Sequence, residues 1–332
     1  MSNTNGYFVV SLDFELMWGV RDEVTKESYG QHIIGVHTAI PKLLDCFNKN
    51  GIRATFASVG FLFIKDQSEQ GLYFPKKLPN YTNDNLSPYG IYMDSCVGKN
   101  YSDDPYHYGW HLLQMIQESP GQEIATHTFS HYYCLEEGQT KDDFKNDLEA
   151  AIKIANSRNI KIGTIIFPRN QVNESYLDLC REAGLTCYRN NELSWIYRAR
   201  SNKGESLLRR SIRLLDAYIM LSGHHCYTNS YMASSFPYNI PSSRFLRPYM
   251  KKLRWLEWLR LKRITKSMTY AAKNNLTYHL WWHPHNFGIN QQENFAFLEK
   301  ILNHHQYLHK KYGFASRNMS ELSQILKDAN RK

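Results

Sequence analysis

Strand-like and helix-like runs alternate along this chain nearly from end to end, and that alternation limits its fold more than any other feature. Strands separated by helices pair in parallel through crossover connections, because a two-residue hairpin can only return a strand antiparallel. Residues 7–16 (YFVVSLDFEL) are β-branched and aromatic and read as a first strand, and residues 53–64 as a second. Between them, Ile40, Leu43, Leu44 and Phe47 recur with the spacing of one helix face, and Gly51 supplies a stop. Further strands are expected at 123–126, 161–167, 185–189, 276–282 and 314–316. Helices are expected at 108–118, 141–158, 175–183, 206–221, 249–273, 294–310 and 320–329. Such a count of βα units predicts an α/β chain with a closed or nearly closed barrel, and an open doubly wound sheet is the alternative. Residues 66–105, rich in Asn, Asp, Pro, Gly and Tyr, read as a long loop or insertion near a site. No repeat or linker divides the chain, so residues 1–332 are taken as a single domain with insertions.

Composition narrows the class. The 332 residues are 42% hydrophobic and 21% charged, which suits a globular core and not a disordered chain. Residues 1–5 are polar and no apolar run reaches bilayer length, so neither a signal peptide nor a membrane span is expected. Six scattered cysteines without CxxC spacing read as reduced thiols, hence a cytoplasmic setting and no cysteine-held structural zinc. The net charge of +9 admits an acidic partner, but no nucleic-acid motif accompanies it, and no nucleic acid is expected. Much of the excess lies in 244–266, the start of a basic helical segment at about 244–273. That stretch fits either an outer helix with a solvated face or a peripheral contact with the inner face of a membrane.

Four segments carry chemistry, and each sits at or just past the expected C-terminal end of a strand, where parallel α/β folds keep their sites. Asp13-x-Glu15 puts two carboxylates on one side of a strand end, if both keep its alternation; a solvated strand end is the bland reading. His127 and His131, four apart in HTFSH, can face one direction on a helix or tight turn, with Thr128 and Ser130 free to brace the backbone. Two imidazoles and a carboxylate form a zinc-hydrolase ligand set that leaves a place for water. His283, before Pro284, ends an apolar strand where a general acid is needed, with His285 as its rival. Arg169 in FPRNQ either pairs with Asp13 and keeps it ionised or is a surface arginine. Trp282, His285 and Asn170 are candidate substrate contacts, and tyrosines 73, 81, 89, 92 and 101 form either a sugar-stacking wall or the packing of the insertion.

Together, SLDFE, HTFSH, FPRNQ and HPHNF resemble the motifs of the polysaccharide deacetylase family with the NodB-homology domain, carbohydrate esterase family four, in the family's order along the chain. The resemblance implies a distorted (β/α)7-type barrel. It implies Asp13 as catalytic base, Glu15, His127 and His131 as ligands of a divalent metal ion such as Zn2+, Arg169 as the arginine orienting the base, and His283 as catalytic acid. The first motif departs from the family's commoner adjacent aspartates, and the third lacks its Arg-x-Pro-Tyr order. The implied activity is removal of an N-acyl, chiefly N-acetyl, group from a sugar in surface polysaccharide assembly. The expected partner is an N-acylated sugar, with lipid-linked and nucleotide-diphosphate-linked forms among the candidates. Hydrolysis of a non-sugar amide and non-catalytic carbohydrate binding are the competing readings.

Overall fold

The computed structural model describes residues 6–199 and 206–331; residues 1–5, read above as a polar start, lie outside it. Nine strands form one sheet: β1 (Tyr7–Phe14), β2 (Ala54–Ser58), β3 (Glu123–Thr126), β4 (Thr164–Ile166), β5 (Cys187–Arg189), β6 (Tyr238–Asn239), β7 (Arg244–Phe245), β8 (Tyr278–Trp282) and β9 (Ala315–Ser316). Every strand pair is parallel, in the order β6-β5-β4-β3-β2-β1-β8-β7, with β9 beside the start of β1.

The two ends of that order are halves of one extended run. Tyr238, Ile240 and Ser242 donate their N–H groups to the carbonyls of Thr186, Tyr188 and Asn190 beside β5, at 2.8–2.9 Å. Ser243 and Leu246 donate to His279 and Trp281 of β8, at 2.8 and 2.7 Å. The run 238–246 therefore serves one neighbour with its first half and the other with its second. It closes the sheet into the distorted seven-stave barrel that the alternation predicts.

Side-chain parity sorts the strands into two layers. Val10, Leu12 and Phe14 point outward into the core shared with the helices Val36–Asn50 and Gln291–Tyr312, where Ile40, Leu43, Phe47, Leu298 and Leu302 are fully buried. Val9, Ala57, Ala125, Ile166 and Cys187 point inward and pack with Met319, Leu322 and Leu326 of the terminal helix Met319–Asn330. Ser11 and Asp13 share that inward parity, so polar groups climb the barrel wall toward its C-terminal rim.

Three expectations change. The segment 66–105 is not structureless: it holds the helices Gln67–Tyr73 and Ile91–Cys96. Its tyrosines mostly pack. The Tyr81 ring is buried against Tyr132 and Tyr133 and its hydroxyl accepts from Tyr133 N at 2.9 Å, while Tyr92 meets Trp18 and His107. The basic segment starts not as helix but as β7, with Arg244 buried and paired to Asp216 at 2.6 Å; the helix itself is Glu257–Lys273. β6 and β7 escape notice in sequence because they are two residues each and flanked by Pro237 and Pro241, which donate no N–H.

Two histidines far from the rim make the fold acid-sensitive. His279 is fully buried beside Ser11, and burial, aided by the Arg189 charge, pushes its pKa down to about 3. His305 Nε2 donates to Phe314 O at 3.0 Å, and burial brings its pKa to about 4. A histidine depressed below its ordinary 6.5 leaves the folded chain binding fewer protons than the unfolded one between those values. The stability it contributes is complete above pH 6.5 and drains as pH falls toward the folded pKa, at roughly 1.4 kcal/mol per unit. Melting temperature in chelator is expected to drop steeply from pH 6.5 to 4; a flat profile would contradict the neutral burial of both rings.

Candidate metal centre and active site

β1 ends at Phe14, and Leu16 takes a left-handed φ of 48°, which turns the chain sharply after Glu15. The Glu15 carboxylate then folds back over Gly19. A Cβ there would lie 2.0 Å from Glu15 Cδ, so this glycine is a space requirement of the acid's position.

HTFSH follows β3 as a turn, not a helix, with Thr128 and His131 at φ 64° and 60°. Side chains replace the missing helical bonds. Thr128 Oγ1 donates to His127 O at 2.5 Å and accepts from Tyr132 N at 2.7 Å. Asp147, fully buried on the helix Lys141–Ser157, accepts from Phe129 N at 2.6 Å, from Ser130 N at 3.1 Å and from the Ser130 hydroxyl. Non-glycine residues in left-handed geometry cost about 1–3 kcal/mol each and persist where surroundings over-determine them. Leu16, Thr128, His131, Arg169 and Asn170 all do so around this one rim.

The result is convergence. Glu15, His127 and His131 are all buried, and one ligand atom from each lies within 4.8 Å of the others. Glu15 Oε2 is 3.1 Å from His131 Nε2 and 3.5 Å from His127 Nε2. Donors held at about 2.0–2.1 Å around a tetrahedral ion stand roughly 3.3 Å apart, so the spacing suits a first-row divalent cation. His127 Nδ1 donates to Ile166 O at 2.8 Å, which leaves Nε2 as a lone pair, and that buried atom has no hydrogen-bond partner. A backbone carbonyl behind a ligating imidazole is the usual way to fix its tautomer. The donor set fits a metal ion.

Electrostatics keep the donors ready. Burial works to raise the Glu15 pKa, but the neighbouring His283, His127 and His131 hold it well below the ordinary carboxylate value. Burial pushes His131 down to about 4, so its ring stays neutral near pH 7. Asp13, 2% exposed, would also be raised by burial; the Arg189 guanidinium overrides this and lowers it.

The arginine beside Asp13 is therefore Arg189, not Arg169. Arg189 ends β5, crosses the barrel interior and grips both Asp13 oxygens at 2.7 Å, with Ser11 Oγ at 3.0 Å. Arg169 turns away through its left-handed backbone, stacks 4.5 Å from the Tyr133 ring centroid and pairs with Asp22 at 2.7 Å and Glu23 at 3.1 Å. Asn170 remains in the site, its Oδ1 accepting from Arg189 at 2.7 Å.

Trp282 is corrected too. Parity along β8 sends Tyr278, Leu280 and Trp282 outward, and Trp282 is fully buried against Phe47 and Phe287. Its neighbour Trp281 faces inward, 4.2 Å above the Arg189 guanidinium and 5.6 Å from the His283 ring. His283 Nε2 lies 3.9 Å from Asp13 Oδ2 and 3.8 Å from Glu15 Oε1. His283 is about a quarter exposed, so it lines the open side of the site. His285 stacks on it at 4.8 Å, with Nδ1 3.7 Å from Glu15 Oε1, and burial pushes its pKa down to about 3.

Sequence reading missed Arg189, Asp22, Asp147, Gly19 and Trp281. Strand parity alone could have favoured Trp281 over Trp282. Nothing local distinguishes Arg189 from other arginines, because its partner lies 176 positions away.

Comparisons with known proteins agree with this fold. No curated protein matches the chain by sequence. A crystal structure from Mycobacterium smegmatis that carries the polysaccharide deacetylase designation superposes with a TM-score of 0.58 at 12% identity, covering 98% of this chain and 92% of that one. A second with that designation, from Pseudomonas aeruginosa PAO1, gives 0.51 at 9%, covering 96% and 89%. The 4-alpha-glucanotransferase of Thermococcus litoralis gives 0.52 at 11%, covering 96% of this chain and 40% of its own, so likeness at this level shows fold alone. The sequence model of the polysaccharide deacetylases matches residues 22–188, half of the chain; it takes in His127 and His131 and leaves out Asp13, Glu15 and His283. With that match on the barrel and its histidine motif, the chain belongs to the polysaccharide deacetylase family.

Proposed function

We propose that this protein is a metal-dependent deacetylase that removes an N-acetyl group from a sugar, with Zn2+ as its ion. The observation that carries the reading is the buried Glu15–His127–His131 triad beside an aspartate clamped by an arginine. A divalent cation bound there supplies Lewis acidity, acidifying water and drawing charge from an acyl carbonyl. Asp13, kept ionised by Arg189, takes the proton from the attacking water. Water adds to the carbonyl carbon, and the C–N bond then breaks. His283, on the exposed side and 3.9 Å from Asp13, delivers a proton to the departing amine. His285 stacks behind His283 and fixes its plane. Trp281, and not Trp282, is the tryptophan that borders the cavity beside His283, where a sugar would lie. Acetate release from N-acetylated oligosaccharides, with and without chelator, tests the proposal. Turnover of a cyclic amide but of no sugar would transfer the same chemistry to the non-sugar reading.

We also propose that the protein works in the cytoplasm at the inner face of a membrane. No helix among the described residues is long and apolar enough to cross one. Leu207 and Leu208 on the helix Leu207–Asp216 are 81% and 69% exposed, and Trp255 and Trp258 are 68% and 61% exposed. Lys251, Lys252 and Arg254 flank the tryptophans. Exposed tryptophan and leucine among cations suit the headgroup region of an anionic bilayer. Wild type is expected to pellet with vesicles containing anionic lipid, and reversing the charges of Lys251, Lys252 and Arg254 to abolish pelleting. Equal recovery of both in the supernatant rules the contact out.

A further inference from the structure

A cavity of about 290 Å³ opens beside the site, with Trp281 and Phe245 in its wall. Those two rings lie 5.6 and 5.8 Å from the His283 ring, so the cavity adjoins the acid side of the reaction centre. Its lining is strongly cationic: Arg198, Arg213 and Arg247 contribute beside one carboxyl, Glu192. Among the described residues, neither Arg198 nor Arg247 has a carboxylate within ion-pair distance, whereas Arg169 and Arg244 nearby do. Glu192 is the one acid set against them, and burial holds its carboxyl above the ordinary range despite Arg244 and Arg189. Burial, together with the charges of Arg213 and Arg244, likewise holds Arg247 below the ordinary guanidinium value, although Tyr197 and Tyr218 act the other way. Arg247 is half-buried, and a half-buried guanidinium without a counter-ion is costly in a folded protein and is relieved by an anion from outside; Arg198 is exposed and adds its charge to the same lining.

We propose that this cavity holds a phosphoryl group attached to the N-acyl sugar, so that the substrate is a sugar phosphate or diphosphate and not a neutral polymer. The proposal rests on the deacetylase reading and narrows its substrate class. Arg198 and Arg247, two cations with no carboxylate partner among the described residues, exceed the single charge of a carboxylate, and guanidinium forks match phosphate oxygens in pairs. The position agrees as well: His283 Nε2 lies 3.8 Å from Glu15 of the triad, and the same ring adjoins Trp281 and Phe245 of the cavity wall.

Binding and kinetics separate the two claims. Titration calorimetry with inorganic pyrophosphate, on protein freed of metal by chelation, is expected to show binding that weakens at least tenfold in an Arg198→Gln, Arg247→Gln double variant. Glutamine removes the charge and keeps a polar, hydrogen-bonding side chain, and a cooperative melt verifies the fold; Arg247→Lys, which keeps the charge, is expected to retain most of the affinity. The ratio of kcat/KM for a nucleotide-diphosphate N-acetyl sugar over free N-acetylglucosamine is expected to fall at least tenfold in the double variant. A higher kcat/KM for the nucleotide sugar or for a polyprenyl-diphosphate sugar in detergent identifies the source, and either supports the proposal. Absence of pyrophosphate binding in wild type, equal binding by the double variant, or preference for an N-acetyl sugar carboxylate overturns it. Arginine-dependent pyrophosphate binding without acetate release from any substrate would instead strike the deacetylase reading and leave the anion site standing.

Discussion

Replacing His127 with alanine is expected to lower acetate release by about a thousandfold or more and to remove most of the bound metal from purified protein. His127 Nε2 is a buried lone pair, fixed by the bond from Nδ1 to Ile166 O, and it faces Glu15 at 3.5 Å. Two donors cannot close a site that three complete, and a metal's acidification of water spans many pKa units, from 15.7 to about 7. Chelation of wild type is expected to produce the same loss, restored by adding the divalent ion back; the alanine variant stays inactive after the same addition. Elemental analysis gives metal per chain directly. Full turnover by the variant, or by chelated wild type, leaves the triad without a catalytic role.

Removing the arginine at position 189 should be the most damaging single change to the barrel interior. The Asp13–Arg189 pair is buried on both sides, with two bonds of 2.7 Å. In Arg189→Met the Asp13 carboxylate keeps its burial and loses its counter-charge. Breaking a buried pair from one side costs about 3–5 kcal/mol, or roughly 4–7 °C in melting temperature for a chain of this size. Activity should suffer in a diagnostic way. Burial then raises the Asp13 pKa with only His127 and His283 left to oppose it, so the acid limb of the pH profile of kcat/KM moves to higher pH. Arg169→Met serves as the contrast, because Arg169 answers Asp22 and Glu23 on the outside of the rim. Its acid limb is expected to stay where wild type has it. Equal displacement in both variants would mean that Arg189 acts on Asp13 only through the general fold.

The barrel and the clustering of Glu15, His127 and His131 were readable from sequence for one reason: their signals are local. The period of apolar residues marks each long helix, and Asp13-x-Glu15 and His127-x-x-x-His131 each fit within five residues. What escaped was non-local or parity-dependent. Arg189 meets Asp13 across the barrel, and Asp147 reaches HTFSH from the following helix; neither has a marker in its own segment. FPRNQ drew attention because it ends a strand, but left-handed backbone at Arg169 and Asn170 sends the arginine outward and keeps only the amide inside. The WW pair shows how one position decides a role: adjacent residues on β8 belong to different layers, and the fold gives Trp281 to the site and Trp282 to the core.

The run 238–246 divides its bonding between two neighbours, with Pro241 where the allegiance changes. This stave carries about half the lateral ties of a fully laddered one, and it lies across the barrel from the β1–β2–β3 wall that bears the carboxylates and the paired imidazoles. The two neighbours it serves end at Arg189 and just before His283, so a shift in the path of this run reaches both residues that flank Asp13 through its own hydrogen-bond partners.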